Sequence, residues 1–124
     1  MKLRLRENSI RLRLLQSEII KLKETGVVSE TIIFNGSQKI SYTLEVSATA
    51  KQITARFENS AIIVEIPRRL SDEWTTSELV GLQNRLKAGD EATLEITLEK
   101  DFVCLERPSD ADNADAFPHP KTNC

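Results

Sequence analysis

Through most of this chain, hydrophobic residues recur at every second position, and turn residues cut the alternation into short runs. A two-residue period puts successive side chains on opposite faces of a strand, one apolar and one polar. Leu3 and Leu5 alternate with Lys2, Arg4 and Arg6; Ile10, Leu12 and Leu14 alternate with Arg11 and Arg13. Glu7-Asn8-Ser9 lies between them, so the start predicts a hairpin with one buried and one cationic face. Thr31-Ile32-Ile33-Phe34 runs into Asn35-Gly36, the strongest short hairpin signal, and the return strand carries Ile40, Tyr42, Leu44 and Val46 on one face. Ile53, Ala55 and Phe57 then answer Ile62, Val64 and Ile66 across a turn at Asn59-Ser60. Leu94, Ile96 and Leu98, alternating with Thr93, Glu95, Thr97 and Glu99, form the last clear strand. Residues 79–82 suggest a short strand or an extended crossing, and 84–91 a loop.

Two segments break the period. Ser17 suits a helix N-cap, Ile19, Ile20 and Leu22 give one apolar side, and Gly26 can supply the left-handed residue that stops the helix. Pro67 closes the strand before it and suits the start of a helix, and Leu70 and Trp74, four apart, share a face over 68–76. The sum predicts an α+β fold, mainly antiparallel: a small barrel or a curved sheet of about seven short strands with two short helices. No internal repeat is visible.

A length of 124 residues suits one domain. Aromatics are only 5%, so the core must rest on Leu, Ile and Val. A net charge of −2 argues against a nucleic-acid partner, which usually meets a basic domain. No apolar run approaches the roughly 20 residues that span a bilayer, and no apolar signal region follows the first cations, so no membrane partner and a cytoplasmic location are expected. Cys104 and Cys124 make no disulfide framework and are expected to be reduced. After Arg107 three Pro, three Asp and one large apolar residue, Phe117, mark a change of character. The expected division is a domain over 1–107 and an acidic, Pro-containing strap or tail over 108–124.

Charge is polarised along the chain. Five cations and one acid occupy Met1–Arg13, whereas Asp90–Asp115 holds nine carboxylates and two cations. Arg4, Arg6, Arg11 and Arg13 could converge on a phosphate or carboxylate by bidentate pairing. The structural alternative sets the same arginines against Glu95 and Glu99 on the last strand, since opposite charges across strands help fix register. Asp110, Asp112, Asp115 and His119 are the candidate metal ligands. Their spacing departs from a calcium loop: Asp115 stands where that loop needs Gly and Lys121 where it needs Glu. Cys104, His119 and Cys124 lack a fourth zinc ligand. The four glycines are isolated, so no phosphate-cradling loop exists, and no nucleophile motif appears. No cofactor is expected.

The run Met1-Lys2-Leu3-Arg4-Leu5-Arg6 with Asn8 to Leu14, Ile66-Pro67 ahead of Trp74, Glu99-Lys100-Asp101-Phe102 with Cys104-Leu105, and the acidic run into Phe117-Pro118 and Pro120 resemble a family of short bacterial proteins classed as a domain of unknown function. The resemblance implies a stand-alone intracellular bacterial protein and brings no catalytic residues. A looser likeness to triphosphate tunnel enzymes fails, because the first strand has no Glu-x-Glu-x-Lys motif. The expected function is therefore a small non-catalytic binding or interaction domain, its partner an unknown protein or a small anionic ligand. The alternative is an anion- or metal-dependent enzyme or sensor using the N-terminal arginines and the C-terminal carboxylates. Oligomeric state is beyond the sequence.

Overall fold

A computed structural model describes residues 1–101 and 115–117. Their elements are β1 (Lys2–Arg6), β2 (Ser9–Leu14), α1 (Gln16–Thr25), β3 (Val27–Asn35), β4 (Gln38–Ser47), β5 (Thr54–Glu58), β6 (Ala61–Pro67), α2 (Arg68–Thr76), β7 (Gly81–Lys87) and β8 (Thr93–Lys100). The strands form two four-stranded sheets, ordered β1-β2-β8-β7 and β3-β4-β6-β5. In each sheet the outer pairs are antiparallel hairpins and the central pair is parallel, β2 with β8 and β4 with β6. The fold is α+β and mostly antiparallel. It is not the closed barrel held open by the sequence, because among the described residues the ladders stop at the edges of each sheet.

Both sheets contribute to one core. Leu12 and Leu98 from the first and Leu44 and Val64 from the second are fully buried in it. Its interior is therefore apolar, unlike a tunnel built to hold a charged substrate. Helix α1 packs on α2, β2 and β3, and α2 packs on β4 and β6. No helix among the described residues is long and apolar enough to cross a membrane.

The chain has a two-fold internal plan. Residues 2–47 run ββαββ, and residues 54–100 run ββαββ again. Exchanging the halves converts one sheet order into the other. The registers agree, since Leu12 pairs with Leu98 as Val64 pairs with Leu44. Irregular hydrogen bonds agree as well. Val46 N donates to Gly26 O and Lys100 N to Val80 O; Ser41 N donates to Ser60 O and Glu95 N to Asn8 O. Ile19 and Leu22 are buried in α1, and Ser71 and Trp74 take their places in α2. Pairing geometry repeats where residues do not, so the sequence shows no repeat.

Local deviations from expectation have simple causes. Helix α2 occupies the expected 68–76, with Pro67 as N-cap. In α1 the N-cap is Leu15, two residues earlier than Ser17. Strand β7 takes in the end of the expected extended stretch at 79–82 and the first half of the expected loop at 84–91, and it makes the eighth strand. Leu82, Asn84 and Leu86 share its inner face; Asn84 sits there because its Nδ2 donates to Ile53 O at 2.8 Å. Gly81 is required where β7 meets β8, because a Cβ there would lie 2.6 Å from Leu98 O. Asn59 and Ser60 both have positive φ (52° and 58°), the turn geometry that matches strand twist in a two-residue hairpin.

Candidate anion site on the arginine face

The period of two puts Leu3, Leu5, Ile10 and Leu12 on one side of the hairpin and Lys2, Arg4, Arg6, Arg11 and Arg13 on the other; Leu12 is fully buried, whereas Leu5 on the edge strand stays 57% exposed. The Asn8 side chain fixes that hairpin to β8, its Nδ2 donating to Thr93 O at 2.8 Å. Register then lays the outward residues in rows across the sheet. Lys2, Arg13, Glu99 and Gly81 form one row; Arg4, Arg11, Thr97 and Gln83 the next; Arg6, Ser9, Glu95 and Arg85 the third. The middle row holds two arginines directly opposite one another and no carboxylate. Like charges in that position repel.

The other half of the protein shows what the same frame looks like when it is neutralised. Arg56 occupies in β5 the position that Arg4 occupies in β1. Its guanidinium pairs with Glu58 at 3.0 Å, Glu45 at 3.3 Å and Glu65. Those carboxylates, led by the Glu58 hydrogen bond, hold Arg56 above the usual arginine range. The positions matching Glu58 and Glu65 are Arg6 and Arg13, and the position matching Glu45 is Glu99. Glu99 is in turn taken by Arg13 at 2.5 Å, with Arg11 at 3.9 Å. Among the described residues Arg4 and Arg6 meet no carboxylate at ion-pairing distance.

These residues line a cavity of about 250 Å³ with Ser9, Gln83, Glu95 and Thr97 on its walls. Glu95 is engaged by Arg85 at 3.0 Å. The cavity thus offers three guanidinium groups, Arg4, Arg6 and Arg11, beside an amide and hydroxyls. Arg13 lies in the adjoining row as a structural ion-pair partner. Arg85 escapes a sequence reading because 84–91 looks like a loop, and Gln83 falls between that loop and the extended stretch at 79–82.

The candidate metal ligands fall elsewhere. Asp110, Asp112 and His119, with Cys104 and Cys124, lie outside the described residues. Asp115 stands at the start of α1, far along the chain from the helix it serves. Its Oδ1 accepts from Ser17 N at 3.1 Å, its Oδ2 accepts from Ser17 Oγ, and its backbone O accepts from Gln16 N at 2.9 Å. A carboxylate here satisfies orphan N–H groups and faces the positive end of the helix dipole. Gln16 Nε2 donates to Ala116 O, and Phe117 N donates to Asp101 O. Among the described residues no three His, Cys, Asp or Glu side chains converge as a metal site would require. Asp115→Ala is expected to lower stability by about 1–2 kcal/mol, the value of a cap plus its dipole interaction. Thermal melting should show a fall of roughly 4–8 °C, and no change would show that residues 115–117 are not fastened to the domain.

The buried cation Lys100 belongs to the same fastening. Its Nζ donates to the carbonyl of Ser77, the C-cap of α2, at 2.8 Å, and stands 5.4 Å from the Phe117 ring centre. Burial pulls its pKa below the usual lysine range, with Glu78 opposing.

Fold and site together define a small two-fold-patterned α+β domain with an open arginine cavity on one outer sheet face. The chain belongs to a family of unknown function, DUF7009, which matches residues 1–121. No curated protein and no solved structure matches it.

Proposed function

We propose that this protein is a non-catalytic domain that binds a small anion of the phosphate or polycarboxylate type, held by Arg4, Arg6 and Arg11. The observation that carries this is the contrast with Arg56. The same position in the other half is surrounded by three carboxylates, whereas around Arg4 two of those three positions hold arginine. Arginine opposite arginine costs stability that a bound anion would return. Gln83 and Thr97 add neutral donors that suit oxyanion oxygens, whereas the Ser9 hydroxyl already donates to Arg6 O at 2.6 Å. The metal-assisted version has less support, because Glu95 and Glu99 are already committed to Arg85 and Arg13. The family resemblance supports a bacterial origin and a cytoplasmic location.

Isothermal titration with inorganic phosphate, pyrophosphate and citrate at low salt tests the proposal. Binding is expected for at least one of them and should weaken as salt rises, because the site is open to solvent. Arg4→Gln and Arg11→Gln should each reduce affinity about tenfold, the loss of one charge-assisted contact. Their melting temperatures should stay level or rise slightly, since each relieves a repulsion. Absence of heat with all three anions, or equal binding by both variants, would remove the proposal.

A further inference from the structure

Among the described residues four strands lie at sheet edges: β1, β7, β3 and β5. Exposed edges carry unpaired backbone groups, and proteins ordinarily guard them with charge or proline. Three edges are guarded. Strand β1 carries Lys2, Arg4 and Arg6; β7 carries Arg85 and Lys87; β5 carries Arg56 and Glu58. Strand β3 is different. Its only charged residue is Glu30, which pairs with the Met1 ammonium at 2.7 Å. From Thr31 to Asn35 it is uncharged and without proline. There the hairpin of β3 and β4 also runs past the end of its neighbours, since the last β4–β6 pair at that end is Ser41 with Ala61. Its side chains are apolar and open to solvent: Ile32 is 47% exposed, Ile33 69% and Phe34 70%.

We infer that this edge is where two copies of the chain pair. The two β3 strands run antiparallel across a two-fold axis at Ile33, which sets Ile32 of each copy against Phe34 of the other. Self-pairing is favoured over a charged partner because the segment has no charge to complement and none to repel its own copy. The same operation at β1 or β7 would set cations against cations. Backbone hydrogen bonds across the junction would extend the sheet order β3-β4-β6-β5 through its β3 side into the second copy. The contact is short, at the small end of specific interfaces, so dissociation in the micromolar range is expected.

Sedimentation equilibrium over a wide range of protein concentration tests this. The unmodified chain should move from monomer to dimer with concentration. Ile33→Lys should hold it monomeric while its circular dichroism and melting temperature stay unchanged, because the residue is exposed. Phe57→Lys, an exposed apolar site on β5, should leave the dimer intact. A chain that stays monomeric at millimolar concentration would overturn the inference. So would an Ile33→Lys variant that dimerises like the parent, or a Phe57→Lys variant that alone abolishes the dimer.

Discussion

Trp74→Ala is expected to cost about 3–5 kcal/mol, the range for truncating a fully buried tryptophan. Domains of ordinary stability hold only about 5–15 kcal/mol, so this one change should bring the chain close to unfolding at physiological temperature. Trp74 is fully buried in the shared core, on the inner side of α2, where the other half of the protein places Leu22. Its Nε1 donates to Val80 O at 3.2 Å, which fastens α2 to the segment leading into β7. Val80 O also accepts from Lys100 N, so Trp74→Phe leaves that carbonyl with a partner. The milder variant should cost about 1–2 kcal/mol through lost volume and one hydrogen bond. Urea unfolding followed by far-ultraviolet circular dichroism checks both. A Trp74→Ala loss below about 1 kcal/mol would mean that the core around α2 collapses onto the vacancy.

The second large effect is expected at Glu18. Its Oε1 accepts from Leu15 N at 2.9 Å, closing the first turn of α1, and its Oε2 meets the Met1 ammonium. Glu30 holds the same ammonium at 2.7 Å, and the Tyr42 hydroxyl donates to Met1 O at 2.9 Å. The Met1 side chain is fully buried beneath them. Glu18→Ala removes a hydrogen bond to a backbone donor and one of two carboxylates around a cation, a loss of about 2–4 kcal/mol. The pH dependence has a definite sign. Burial pulls the ammonium's pKa down, but hydrogen bonds and charge from Glu18 and Glu30 outweigh it, leaving the group above its ordinary 8.0. The folded state therefore holds the proton more tightly. Stability from this pair is fully present below pH 8 and declines as pH rises through the folded pKa. Tyr42, pushed up to about 12 by burial and by Glu30, adds a second decline above pH 10. Melting curves from pH 7 to 11 should fall for the parent and fall less steeply for Glu18→Gln once pH passes 8. Parallel curves would exclude the ammonium pair as their cause.

Local chemistry was legible wherever the cause was local. The alternation of Lys2 to Leu14, the hairpin signalled by Asn35-Gly36 and the Pro67-to-Trp74 helix each follow from neighbours in sequence and stand in the structure, the hairpin's turn falling one residue later, at Gly36-Ser37. Strand β7 did not, because an edge strand tolerates Asn84, Arg85 and Lys87, which composition assigns to loops. The pairing of Arg13 with Glu99 was readable as charge complementarity between the chain's two ends. The parallel sense of that pairing was not, since no short-range signal marks it. Nor was the internal two-fold plan, because Arg13 answers Glu65 and Val46 answers Lys100, positions alike in backbone and opposite in chemistry. The part played by Asp115 was hidden for a related reason. A cap supplied from the far end of the chain leaves no fixed spacing to Ser17. Within the site, the outward arginines could be read from the period, and Gln83 and Thr97 only from register.

The two sheets are closed by parallel pairs of very different span. Leu44 reaches Val64 across one intervening strand, β5, whereas Leu12 must wait for Leu98. On a ribosome, where the chain emerges in order, the β3-β4-β6-β5 sheet has all its strands well before β8 is made. The hairpin of β1 and β2 is synthesised before the other strands and is among the last to find its neighbour, and long-range closure of this kind is slow. During that interval its apolar side has no sheet to lie in. The row of cations on its other side keeps the waiting hairpin soluble and unwelcoming to other strands. The same arginines that line the cavity in the finished protein thus have a second task in time, guarding a strand until its partner arrives.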